Sequence, residues 1–279
     1  MRLLFVRSKW DFPDTRLARF VSQVKQWGFD GCEVYLPTLK EPPDETRSIV
    51  AEAGLALIGQ IATEGDSPAE HLRSFEDRFA SATRYNPVRV NAHTGRDRFS
   101  LEQNLQIFMR AQELAHSAGL PLSQETHRGR ALFSTLSTVA ILERAPGVRL
   151  TADFSHWCNV HESLLADQAQ AVRRAIEHTD YIHARVGHAQ GPQVSDPLAP
   201  EWHVELETHI GWWEQIVHRH KIAGTETLAI CPEFGPAPYM PLLPYTRQPV
   251  SDLSAVVLSM TDLLRRRLGS ETFVAGDTA

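Results

Sequence analysis

Two apolar patterns alternate along this chain. Short runs that suit a strand occupy residues 3–7, 31–36, 55–61, 87–93, 120–126, 147–153, 180–186 and 227–231. Between them apolar residues recur at three- and four-residue spacing, as in Leu17, Phe20, Val21 and Val24, which is the signature of a helix with one buried face. That spacing predicts helices over about 15–27, 44–53, 67–85, 100–119, 131–144, 162–178, 205–221 and 251–268. Local signals support the boundaries. Ser67-Pro68 with Glu70, and Ser100 with Gln103, form hydroxyl caps answered by an acid or amide three residues on, while Gly28, Gly54 and Gly119 stand where helices stop. Eight strand–helix pairs in strict alternation imply parallel pairing, and eight such units at this length predict a single (β/α)8 barrel. An open doubly wound sheet is the runner-up, but no G-x-G-x-x-G follows the first strand and no G-x-x-x-x-G-K-[ST] occurs. No linker or low-complexity segment divides the chain, so one domain is expected over 1–268, with 269–279 as a frayed tail.

The polar residues change the picture where the strands run out. In a barrel of this kind the chemistry sits at the C-terminal ends of the strands. Those positions hold Glu33, Gln60, Asn91 with His93, Glu125 with His127, Asp153 with His156, His183 with Arg185, and Glu233. Residues two apart on a strand face the same side. Glu125, Asp153, His183 and Glu233 close four consecutive strands, the fifth to the eighth. Three carboxylates converging on one mouth repel one another, and burying them unpaired costs several kcal/mol or more. An oxygen-rich set with one imidazole suits Mn2+, Mg2+ or Co2+, with Zn2+ also accommodated. By contrast His71, His116, His178, His218 and His220 fall in helical stretches and read as surface residues, and the Trp212-Trp213 pair reads as packing.

Composition adds limits. The net charge of −6 argues against a broad nucleic-acid footprint. Cys32, Cys158 and Cys231 lack C-x-x-C spacing and read as reduced thiols, so a cytoplasmic location is expected. No apolar run is long enough to cross a bilayer.

The order and spacing of Glu125, Asp153-Phe-Ser-His156, Ile182-His183 and Pro232-Glu233-Phe234 resemble the xylose-isomerase-like TIM-barrel superfamily over nearly the whole chain. The branch that fits best contains sugar isomerases and epimerases similar to D-tagatose 3-epimerase and hydroxypyruvate isomerase. The resemblance implies one divalent metal held by Glu125, Asp153, His183 and Glu233. It also implies proton transfer by Glu125 and Glu233 through a metal-stabilised enediolate, and substrate contacts from His156 and Arg185. The substrate would be a sugar or related polyhydroxy keto compound. His127 is a further candidate contact. The chain departs from the family at His183-Ala-Arg185-Val-Gly-His188 and in the long stretch to His203, which predicts a lid carrying His188 and Trp202 to the substrate. A metal-dependent dehydratase of an inosose or dehydroshikimate-like compound is the alternative within the fold. A non-catalytic sugar-binding barrel is the alternative outside enzymology, and an abasic-site endonuclease fits less well because of the acidic charge. Barrels of this kind are often homo-oligomers.

Overall fold

The computed structural model describes residues 1–269. Eight parallel strands close into a barrel in chain order: β1 (Arg2–Ser8), β2 (Gly31–Tyr35), β3 (Ala56–Ala62), β4 (Arg89–His93), β5 (Leu122–Glu125), β6 (Leu150–Ala152), β7 (Thr179–His183) and β8 (Thr227–Cys231). Closure excludes the open sheet. Outside run α1 (Leu17–Gln26), α2 (Pro43–Ala53), α3 (Pro68–Thr83), α4 (Leu101–Ala118), α5 (Thr135–Arg144), α6 (Ser155–Val160), α7 (Ala169–His178), α8 (His203–Ile222) and α9 (Leu253–Gly269). The expected tail beyond Gly269 lies outside the described residues. Among those residues no helix is long and apolar enough to cross a membrane.

The core lies between barrel and helices, where the apolar stripe of α1 (Leu17, Phe20, Val21, Val24) meets the outward residues of the strands. Trp212 and Trp213 are buried in it, which bears out the packing reading. Both capping boxes form, at Ser67/Glu70 and Ser100/Gln103. A third, Ser134/Ser137, starts α5 several residues later than the apolar spacing alone suggests.

Three expectations need correction. The helix expected over 162–178 starts only at Ala169, as α7, and an unexpected short helix, α6, precedes it directly after β6. The Asp153 carboxylate accepts hydrogen bonds from the backbone N–H and hydroxyl of Ser155, which folds the chain into α6 as soon as the strand ends. His71, His178 and His220 are buried, not on the surface. Each ties its helix to a neighbouring element through a ring nitrogen: His71 to Thr63 Oγ1 (2.7 Å), His178 to the Val148 carbonyl (3.0 Å) and His220 to the Thr179 carbonyl (2.7 Å). The stretch after β7 is pinned down rather than left as a free lid. Gln193 pairs with the backbone of Gly235 through both amide atoms (3.0 and 2.7 Å), and Val194 N–H donates to the Val186 carbonyl (2.9 Å).

Candidate active site

Parallel register sets the site. Glu125 stands opposite Thr151, and His183 opposite Cys231, so Asp153 and Glu233 each follow two residues past those partners at the same rim. Ligand atoms of Glu125, Asp153, His183 and Glu233 all come within 4.8 Å of one another, and all four residues are buried. The spacing along the sequence is thereby turned into a cluster in space.

Each member is held by its neighbours. Asn91 Nδ2 donates to Glu125 Oε2 (2.8 Å), and Asn91 is itself fixed by a hydrogen bond from the Thr151 hydroxyl (2.8 Å). His93 Nε2 lies 2.6 Å from the same Glu125 oxygen. His183 stands between carboxylates, with Nδ1 3.4 Å from Glu125 Oε2 and 3.2 Å from Glu233 Oε2, and Nε2 3.2 Å from Glu33 Oε2. Arg185 Nη2 contacts Asp153 Oδ2 and lies 3.5 Å from Glu233 Oε2.

The electrostatics follow from this crowding. At an effective dielectric of about 20, two unit charges about 4 Å apart interact by about 4 kcal/mol. Burial pushes the His183 imidazole down, but Glu233, Glu33 and Glu125 outweigh it and hold the ring well above its usual range. Burial raises the Glu125 carboxyl, and His93 and His183 reverse that to leave it well below the usual carboxylate range. Glu233 is lowered in the same way by His183 and Arg185, against burial. Asp153, buried and only partly compensated by Arg185, is raised to about 6. Burial also raises Glu33, with His183 opposing.

A divalent cation fits this set. Three carboxylates and an imidazole converge, and the buried His183 Nδ1 has no hydrogen-bond partner of acceptable geometry. Above the cluster opens a cavity of about 860 Å3, into which Glu125, Glu233, His93, His127 and Arg185 project.

The other expected contacts fall in two groups. His127 and His156 join the site: their rings are 4.0 Å apart, His127 lies 4.7 Å from His93, and His156 Nε2 is 2.9 Å from Arg185 Nη2. Burial and the neighbouring His93 lower His127 to about 3. His188 and Trp202 instead pack on each other, 4.9 Å apart, away from the cluster's contacts.

Sequence reasoning passed over Trp10, Tyr239 and Ser155. Trp10, just past β1, lies across Gly235, where a Cβ would meet the indole at 2.1 Å, and Tyr239 meets it edge-on at 4.9 Å. Only the position of Trp10 after a strand end hinted at this. Tyr239 sits in a proline-rich loop with no local signal. Ser155 was hidden inside the Asp153–His156 motif.

No known family model matches the sequence, and no curated protein does. Solved structures match over almost the whole chain. The 3-keto-D-glucoside 4-epimerase YcjR from E. coli is 14% identical, with 95% of this chain and 100% of that one covered, at a TM-score of 0.64. The fold is that of the xylose isomerase-like TIM barrels. A barrel of that name from Mycobacterium smegmatis, solved in complex with magnesium, is 14% identical over 95% of this chain and 96% of its own, at a TM-score of 0.64. The probable 3-DHS dehydratase AsbF from Bacillus anthracis is 13% identical, with 96% and 100% covered and a TM-score of 0.62.

Proposed function

We propose that this barrel is a divalent-metal-dependent isomerase or epimerase of a sugar or related polyhydroxy keto compound. The observation that carries the reading is the meeting of Glu125, Asp153, His183 and Glu233 within 4.8 Å, at the base of a cavity large enough for a small carbohydrate. These four residues would hold Mn2+, Mg2+ or Co2+, and the ion when bound would supply Lewis acidity toward substrate oxygens.

The chain's own residues account for the proton. Glu125 and Glu233 arise from β5 and from just past β8, and their oxygens flank His183 at 3.4 and 3.2 Å. Both line the cavity. One carboxylate takes the proton from the carbon next to the substrate carbonyl, breaking the C–H bond and leaving an enediolate. The other member of the pair takes up a proton from solvent and delivers it to carbon. The first later gives the proton it removed back to solvent, so no atom is lost and the hydroxyl group stays. The lowered affinity of both carboxyls for protons keeps them ready as bases. His93, 2.6 Å from Glu125, is placed to relay its proton. His127 and Trp10, which line the cavity, would position the substrate, with His156 buried behind His127.

The test is an NMR screen in D2O of ketoses, 3-keto-glucosides, inososes and dehydroshikimate with and without Mn2+. Product that retains every hydroxyl and carries deuterium at carbon is expected. Loss of a hydroxyl would make the protein a dehydratase. Turnover unchanged by chelator would remove the metal from the reading.

A further inference from the structure

Asp153 has no free oxygen. Ser155 takes Oδ1 through its hydroxyl and its N–H (3.2 Å), and Arg185 Nη2 takes Oδ2. The same Nη2 lies 3.5 Å from Glu233 Oε2, so one guanidinium nitrogen faces two of the four proposed ligands. Nη1 of Arg185 is buried and has no hydrogen-bond partner. The guanidinium carbon lies 4.8 Å from the Tyr239 ring centroid and 5.7 Å from that of Trp10. Both rings and Arg185 border the cavity.

We propose that Arg185 is a built-in counter-ion that competes with the metal for Asp153 and Glu233. This rests on the metal site proposed above. Without metal, the guanidinium neutralises carboxylates that would otherwise repel, and so keeps the rim folded. An ion ligated through Oδ2 would draw on the oxygen that Arg185 Nη2 holds, and so would weaken that bond by competing for the same charge. The aromatic pair already borders the guanidinium, and a cation over an aromatic face keeps part of its stabilisation when the carboxylate bond weakens. His156 Nε2, 2.9 Å from Nη2, supplies an acceptor that no metal ligand needs. Arg185 would therefore set how tightly the metal is held and how easily it exchanges.

Calorimetric titration with Mn2+ and thermal melting with and without metal test this on the wild type, Arg185→Met and Arg185→Lys. Removing the competing charge is expected to tighten Mn2+ binding by about tenfold or more. Metal-free Arg185→Met should melt below metal-free wild type, and saturating Mn2+ should erase that deficit; a plainly structural arginine would destabilise both states. Arg185→Lys keeps the charge but not the fork, and should fall between on both readings. It also carries the test if Arg185→Met does not fold without metal. Mn2+ binding to wild type with no gain in either variant overturns the competition alone. Binding by none of the three proteins overturns the metal site itself.

Discussion

At the N-terminal end of the barrel, Arg89 stands between the Ser123 hydroxyl (2.6 Å) and Asp180 (3.3 Å), and Arg149 closes on the other Asp180 oxygen (3.4 Å). These groups keep some contact with water, with Arg89 and Asp180 18% and 21% exposed. At the C-terminal end Glu33, Glu125, Asp153 and Glu233 crowd around His183 and Arg185, and none is more than 5% exposed. In the N-terminal cluster two arginines face one carboxylate, Asp180. The C-terminal cluster buries more carboxylates than its cations can neutralise. A balanced, wetted network is what a barrel needs to close its base, whereas a buried excess of negative charge costs stability and persists where a cation is to be bound. The contrast separates structure from chemistry within one set of strands.

The largest effect that would test the contrast is at the rim. Glu233→Gln is expected to lower turnover by about a thousandfold, as for loss of a proton-transferring group, while the melting temperature holds. Near-wild-type turnover in the D2O assay would remove Glu233 from the chemistry.

Next comes a pH effect just behind the rim. His209 is fully buried, accepts a hydrogen bond from Gly187 N–H on Nε2 (3.3 Å) and places Nδ1 2.8 Å from the Glu205 carbonyl. Burial lowers its pKa from 6.5 to about 4. The unfolded chain therefore binds the proton first as pH falls. Stability that is complete above 6.5 is lost between 6.5 and 4, by on the order of 3 kcal/mol. His209→Gln should flatten that acid limb in denaturant titrations at stepped pH. An unchanged limb would assign it to other groups.

A smaller effect is expected at Gly187, where a Cβ would come within 2.7 Å of the Ser155 carbonyl and Cβ. Gly187→Ala should cost about 1–3 kcal/mol by overpacking and, by pushing on the residue that holds Asp153, should also weaken Mn2+ binding. Equal metal affinity in the variant would disconnect the two. The smallest change belongs to the base. Asp180→Asn should cost about 1 kcal/mol in chemical denaturation and leave Mn2+ affinity and turnover untouched. A loss of activity there would erase the distinction between the two ends.

Several residues show how far the chain could be read in advance. Leu17, Phe20, Val21 and Val24 predicted both a helix and its buried face, because a 3.6-residue period is a property of sequence. Glu125, Asp153, His183 and Glu233 were legible because parallel strands put their ends at one rim, whatever the details of packing. The buried His71, His178 and His220 were misread, since a lone imidazole on a helix gives no sign of the backbone carbonyl or hydroxyl that meets it. His188 and Trp202 were expected at the substrate and instead pack together, because the loop bearing them is fastened by Gln193 to Gly235, a partner 42 residues away.

Sequence alone determined the alternation of strands and helices, the closing of eight units into one barrel and the line of polar residues at its rim, all consequences of local periodicity and strand direction. Only tertiary structure decided how those polar residues share their charges. Arg185 lies just past β7, between Asp153 past β6 and Glu233 past β8, and faces both. Trp10 and Tyr239, from opposite ends of the chain, meet over its guanidinium. Such contacts join residues far apart in sequence, and their distances are fixed by how the loops pack, which no period along the chain encodes.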